Sequence, residues 1–189
     1  MTSISDTTTS TLPLDPGTWT VDPFHSAVNF TIRHLGVSKV RGQFTRFEAD
    51  VRVGTTPDTT SVTATVDVAS IDSGNADRDA HVLQPDMVDV TLRPTLSFRS
   101  TSIAGEGDEW QLAGELTIGE VTAPVTFDVE LGGVAVFPAD GRRHAGFEAT
   151  TQIRRQDFGL MPSIPGAMLG DVIKIELDLQ LVEPEAADD

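Results

Sequence analysis

The sequence predicts an all-β protein, an antiparallel β-barrel of about eight strands. Apolar residues recur at every second position along most of the chain, which is typical of strands with one buried face. Turn sequences such as Gly132-Gly133 and Asp140-Gly141 separate these runs. The chain of 189 residues is long enough for one such domain. A two-sheet sandwich fits the same pattern and is the alternative.

The predicted strands follow one another along the chain. A short segment around Trp19 precedes alternating runs at 28–32, 62–68, 110–118, 125–131, 145–153 and 173–181, with less regular stretches at 40–53 and 95–103. Gly42 is the expected bend in the first of these less regular stretches. Because most connections are short, consecutive strands are expected to be neighbours, and closure pairs the two edge strands.

One insertion, residues 75–90, breaks the alternation. Asn75 has the right character to cap a helix, and Asp77 and Asp79 would then lie in the first turn, where the helix dipole favours acidic side chains. A short helix is therefore predicted within this insertion.

The chain ends are predicted to flank a single domain at 17–182. Residues 1–16 are rich in Thr and Ser and predict a flexible leader, and residues 183–189 predict an acidic tail. The leader has no basic residue and no apolar block of the kind found in secretory signals, so we expect a cytoplasmic location.

The charge balance narrows the choice of partners. The formal net charge of −16 repels phosphate backbones and anionic lipid surfaces, so nucleic acid is not expected as a partner. No apolar run is long enough for stable membrane insertion. The absence of cysteine removes disulfides, thiolate nucleophiles and cysteine-bound metals.

Residues 158–169 form an unusually apolar connection broken by proline and glycine. Connections are normally polar, so this one should cover a core, meet a partner subunit or line a ligand entrance. The sequence leaves these three alternatives open.

Residues suited to catalysis or metal binding are sparse. His25, His34 and His81 lack the close spacing of metal ligands, and no Gly-x-Ser-x-Gly motif occurs. Arg155 with Asp157 could anchor a polar ligand head, although a surface ion pair is the commoner outcome. No catalytic residue, bound metal or cofactor is expected.

Several ordered sequence blocks resemble the YceI-like family. They are Trp19-Thr-Val-Asp-Pro-Phe-His-Ser-Ala-Val-Asn-Phe, His34-Leu-Gly-Val-Ser-Lys-Val-Arg-Gly-Gln-Phe, Ser70-Ile-Asp-Ser-Gly-Asn-Ala-Asp-Arg-Asp-Ala-His-Val, Pro94-Thr-Leu-Ser-Phe-Arg-Ser, Gly114-Glu-Leu-Thr-Ile-Gly-Glu-Val-Thr-Ala-Pro-Val and Arg155-Gln-Asp-Phe-Gly-Leu. The resemblance implies a lipocalin-like barrel that holds an isoprenoid or other long-chain amphiphile in its lumen, often as a homodimer. Met87 and Val88 stand where the family usually has an aromatic pair, which would widen that part of the pocket.

The sequence thus predicts a protein that binds, carries or sequesters a polyisoprenoid-like or fatty amphiphile. By strand phase, the residues expected to line the lumen are Phe30, Ile32, Val66, Phe98, Leu116, Phe127, Phe147 and Leu177. Those expected at its mouth are Met87, Phe158, Met161 and Met168. Two alternatives remain, an enzyme that uses the cavity with a His-bound metal, and a filled barrel that serves as a protein-interaction module.

Overall fold

The computed structural model describes residues 12–185, and within them the protein is built almost wholly of antiparallel strands. The strands are β1 (Gly17–Val21), β2 (Ala27–His34), β3 (Ser38–Phe44), β4 (Phe47–Val53), β5 (Ser61–Asp67), β6 (Ile71–Asp72), β7 (Thr95–Glu106), β8 (Glu109–Ile118), β9 (Val121–Val136), β10 (Arg143–Arg154) and β11 (Leu169–Val182). The helix α1 spans Ala76–Val82, and short 3₁₀ turns lie at Pro57–Thr59, Val68–Ser70 and Arg155–Phe158.

The sheet closes into a ring. Its order is β1-β4-β5-β7-β8-β9-β10-β11, and the last part of β11 pairs back with β1, with Leu181 opposite Val21. The first part of β11 pairs instead with β2, which continues the sheet to β3 and β6. The predicted barrel of about eight strands is therefore confirmed, and the two-sheet sandwich is excluded.

The helical insertion is also confirmed, as α1. The Asn75 side chain accepts a hydrogen bond of 3.0 Å from the Arg78 N–H, as expected of an N-cap. The Asp79 carboxylate accepts a hydrogen bond of 3.1 Å from the Ser73 N–H, which ties the helix to the end of β6. The cap and this tie hold the helix beside β6, at the end of the β2-β3-β6 extension of the sheet.

A buried serine joins two strand breaks. The Ser70 Oγ donates to the Asp67 carbonyl at 2.7 Å and accepts from the Arg46 N–H at 3.0 Å, linking the gap between β3 and β4 to the gap between β5 and β6. The Arg46 guanidinium pairs with the Asp67 carboxylate at 2.7 Å across the same junction. These contacts lie where the chain passes between the ring strands β4 and β5 and the strands β3 and β6, which extend the sheet beside β2.

Two apolar cores lie at opposite ends of β11. The loop-side core consists of Leu116, Ile118, Ile153, Phe158, Leu160 and Met161. The Trp19 core consists of Trp19, Val51, Val53, Ala145 and Leu181. Ile173, near the start of β11, packs on the first core and Leu181, near its end, belongs to the second. The interior between the two cores is where a ligand site has to be sought.

Part of the predicted leader lies against the barrel, since Leu12 and Leu14 pack on the Trp19 core. Residues 1–11 and 186–189 lie outside the described residues, so the leader and the acidic tail stay predictions. Within residues 12–185, no helix is long and apolar enough to span a membrane.

Candidate functional site

A cavity of about 230 Å³ lies inside the barrel, between the two cores. Strands from all around the ring contribute to its wall, which is aliphatic and aromatic along nearly its whole length. The aromatic part of the wall comprises Phe47, Phe98, Trp110, Phe127 and Phe147. The volume approaches the lower end of the range of about 300–1,000 Å³ that is common for small-molecule sites.

Small side chains explain why the barrel is not filled. Ala49 on β4 lies directly opposite Ala64 on β5, and Ala149 on β10 lies opposite Val129 and Leu177. All three alanines line the cavity. Protein interiors are normally packed with few voids larger than a water molecule, so alanines at inward positions leave space that larger residues would occupy.

The aromatic wall is shaped by a glycine. A Cβ atom at Gly114 would overlap the Phe98 ring, which lies across this glycine on the neighbouring strand. The Phe98 ring then meets the Phe127 ring edge to face, with centroids 5.5 Å apart and an interplanar angle of 88°. This arrangement is a favoured one for aromatic pairs, and it holds both rings in place along the wall.

The wall offers little polar chemistry. Its polar members among the described residues are Glu48, Thr60 and Ser97. The Glu48 side chain is exposed to solvent, and Ser97 lies opposite Thr65 and Thr117 on the outer face. The Thr60 hydroxyl is already used, because it accepts from the Gly54 N–H at 3.0 Å. The arrangement is suited to holding an apolar chain by contact alone.

Most of the residues predicted for the lumen lie on this wall. They are Val66, Phe98, Leu116, Phe127, Phe147 and Leu177. Their contact with a ligand stays a prediction, because the alternation along a strand identifies its inward face but not what fills the cavity.

Phe30 and Ile32 are placed differently from the prediction, outside the cavity wall. The Phe30 ring lies over Gly42 and packs against Phe44, with ring centroids 5.5 Å apart. Ile32 lies opposite Ile173, towards the loop-side core. Periodicity specifies the face of a strand but neither the depth along the barrel nor the neighbours of each side chain. Ile32 lies beyond the cavity along β2, whereas Phe30 lies opposite the cavity residue Ile175 but packs its ring against β3 instead.

The residues predicted at the mouth are also placed differently, because that end of the barrel is closed. Phe158 and Met161 are buried members of the loop-side core, and Met87 packs against it from the insertion. Met168 is half exposed, and its carbonyl accepts a hydrogen bond of 2.8 Å from the Leu35 N–H. Of the three roles left open for residues 158–169, the structure assigns covering a core.

Arg155 holds this cover in place. Its guanidinium is fully buried. It donates to the carbonyl oxygens of Leu160 (3.3 Å), Met161 (2.6 Å), Ile164 (2.7 Å), Leu169 (3.1 Å) and Gly170 (3.2 Å). Neither reading of Arg155 from the sequence, an anchor for a ligand head or a surface ion pair with Asp157, is correct. The buried arginine is a structural group that satisfies the backbone of an irregular loop.

The comparison with known proteins agrees with this architecture. The model of the YceI-like domain matches residues 19–181, nearly the whole of the barrel. The chain belongs to the YceI-like family.

Curated YceI relatives are similar over most of their length. Protein YceI from Shigella flexneri is 36% identical over 151 residues, which cover 79% of this chain and 78% of the relative. The solved YceI protein from Campylobacter jejuni is 28% identical, with a TM-score of 0.73 over 82% of this chain and 91% of that one. A polyisoprenoid-binding domain from Saccharophagus degradans shares the fold at 10% identity, with a TM-score of 0.67 over 90% of this chain and 100% of that one.

A network of hydrogen-bonded polar side chains lies at the Trp19 end of this YceI-like barrel, outside the cavity. The Asp22 carboxylate pairs with His25 at 2.7 Å and accepts from Gln180 at 3.3 Å, and Gln180 in turn contacts His144 at 2.8 Å. Partial burial raises the pKa of Asp22, but hydrogen bonds from His25 and the Phe24 N–H outweigh this and hold it below its usual value. Among residues 12–185, no three histidine, aspartate or glutamate side chains lie close enough together to bind a metal ion.

Sequence reasoning missed three parts of the YceI-like cavity. The alanines were read only as strand residues, although small residues at inward positions are a sign of free space. Trp110 had the correct phase and lies on the wall. Leu12 and Leu14 also reach the wall, and no periodic pattern marks them because they precede the first strand.

Proposed function

We propose that this protein binds a long-chain amphiphile of the isoprenoid or fatty type in the barrel lumen, and so carries or sequesters it. The observation that carries the proposal is the interior cavity of about 230 Å³, whose wall is apolar apart from the three residues described above.

Apolar contact is sufficient to account for such binding. Burial of each CH₂ group contributes about 0.8 kcal/mol, so a prenyl or alkyl chain needs no ion pair to bind. Among the described wall residues the one charged side chain, Glu48, is exposed to solvent, so a charged headgroup has no partner inside the lumen and would remain near an end of the barrel. The shared fold of the polyisoprenoid-binding domain from Saccharophagus degradans supports this class of ligand.

The direct test is to look for a bound lipid and then to fill the cavity. We expect native mass spectrometry of gently purified protein to detect a co-purified lipid, and delipidated protein to take up cis-parinaric acid and geranylgeraniol. Ala149→Leu adds bulk to the buried wall of the cavity and should weaken this uptake at least about tenfold, which corresponds to about 1.4 kcal/mol.

Ala113→Leu is the matched control. Ala113 lies on β8 between the wall residue Leu112 and the inward Gly114, so its side chain points to the outer face. The control should bind both probes as the wild type does. Absence of co-purified lipid, together with no uptake of either probe by wild-type protein, would rule out the proposed function.

A cytoplasmic location and a homodimer are part of the same proposal. Cell fractionation tests the location, and sedimentation velocity with and without bound lipid tests the assembly.

A further inference from the structure

We propose that residues 12–14, here called the plug segment, close the entrance of the cavity at its Trp19 end, and that a ligand chain enters by displacing them. The identity of the entering chain rests on the proposed function, whereas the position of the entrance rests on the geometry alone.

The plug segment forms part of the cavity wall without belonging to the sheet. Leu12, Pro13 and Leu14 all line the cavity, and the two leucines also pack on the Trp19 core. The first strand begins only at Gly17. This part of the wall is therefore held by side-chain packing, whereas the strands around it are held by continuous ladders of hydrogen bonds.

The opposite end of the barrel is closed much more firmly. The Arg155 guanidinium joins residues 160–170 through the five carbonyls described above, and this loop is tied in turn to the helical insertion. Arg93 donates to the Gly159 carbonyl at 3.2 Å, and the Met161 N–H donates to the Met87 carbonyl at 3.3 Å. Opening this end would break a buried polar network, so the plug segment is the weaker of the two closures.

The plug segment is attached at one residue that precedes the sheet. Within residues 12–185, the hydrogen bonds that anchor residues 12–16 all involve Asp15. The Trp19 Nε1–H donates to the Asp15 carbonyl at 2.9 Å, and Arg143 pairs with the Asp15 carboxylate at 2.6 Å. Gly17 follows with φ of 145°, a conformation that favours glycine. The segment can therefore swing out on the Asp15–Gly17 side without breaking a strand pair.

Access to a single cysteine tests the plug without any lipid. Because the chain has no cysteine, Ala149→Cys introduces a unique thiol on the buried cavity wall. We expect L12A/L14A in this background to speed modification by methyl methanethiosulfonate about tenfold, as read by intact-mass spectrometry, because loss of the leucine contacts favours the open state.

The matched control is L35A/L92A in the same background. It removes the same atoms from two exposed leucines outside both cores, and the labelling rate should stay at the A149C value. Asp15→Asn is the second test variant, since it weakens the anchor and leaves both leucines in place. Unchanged labelling in both L12A/L14A and D15N, with circular dichroism showing folded protein, would overturn the plug.

Stopped-flow measurement of cis-parinaric acid binding then distinguishes a failure of the plug hypothesis from a failure of the proposed function. If both are correct, L12A/L14A raises the association rate constant by a factor similar to the labelling rate, and L35A/L92A does not. Faster labelling without any uptake of the probe would retain the plug and refute the lipid ligand. Normal uptake by wild-type protein with unchanged rates in both plug variants would retain the ligand and refute the plug.

Discussion

At the scale of single residues, Arg155 bears most directly on the stability of the closed end. Arg155→Met keeps the bulk of the side chain but leaves the loop carbonyls without their donors, and each unsatisfied buried acceptor is costly. We expect the free energy of unfolding to fall by at least about 3 kcal/mol. Urea denaturation followed by tryptophan fluorescence measures this change.

The neighbouring arginine provides the control. Arg154 is largely exposed and pairs with Asp171 at 2.6 Å, and Arg154→Met should lower the free energy of unfolding far less than Arg155→Met, because exposed ion pairs contribute little to stability. Equal losses for the two substitutions would contradict the structural role given to Arg155.

Arg155 also shows what the local sequence can and cannot predict about a single residue. Ile153 points inward, and Arg155, two residues later, has the same phase, so alternation alone predicts that it is buried. Its charge and the nearby Asp157 favoured the surface interpretation instead. Nothing local in the sequence shows that the partners of a buried arginine will be carbonyls up to fifteen residues away.

At the scale of the elements, the outer face of the barrel carries a row of opposed carboxylates. Glu109, Glu130, Glu148 and Asp178 lie directly opposite one another on β8, β9, β10 and β11, and all four are exposed. None of them forms an ion pair within the described part of the chain. Like charges opposite one another across strands weaken a sheet.

Removing the charge at Glu148 should therefore stabilise the barrel, since it relieves repulsion from both neighbours. We expect Glu148→Gln to raise the free energy of unfolding by about 0.2–1 kcal/mol in low salt, and the gain to shrink as salt screens the row. Glu120→Gln, in the β8–β9 turn, is the control and should change the unfolding midpoint little. A loss of stability in E148Q at low salt would contradict the assignment.

The sequence predicted the faces of the strands more successfully than their register. Alternation placed Phe98, Phe127 and Leu177 on the inner face, where they line the cavity. It could not locate Ile32 along the barrel axis, because depth depends on how β2 pairs with β11. The division of β11 between β1 and β2 arises from tertiary pairing, which leaves no mark in the local pattern.

At the scale of the whole molecule, several surface carboxylates favour the folded state at neutral pH. The Arg154 guanidinium lowers the pKa of Asp171, and the Arg46 guanidinium lowers that of Asp67. A lowered pKa gives stability that is present above the unfolded value, about 3.9 for aspartate, and is lost as the pH falls through the folded value.

We therefore expect the thermal midpoint to change little from pH 7 to 5 and to drop below about pH 4. Differential scanning calorimetry measures this profile. The double variant D67N/D171N should start from a lower midpoint at pH 7 and show a shallower acid slope, whereas an identical slope would contradict the part assigned to these two carboxylates.

The two tryptophans occupy different places in this architecture. Trp110 lies on the cavity wall, and the Trp19 indole donates to the Asp15 carbonyl beside the plug segment. With no tyrosine and no third tryptophan in the chain, and because phenylalanine does not absorb at the longer wavelengths that excite indole, emission excited at those wavelengths comes from these two indoles alone. The protein thus carries two built-in optical reporters, and replacing either one by phenylalanine isolates the emission of the lumen from that of the entrance.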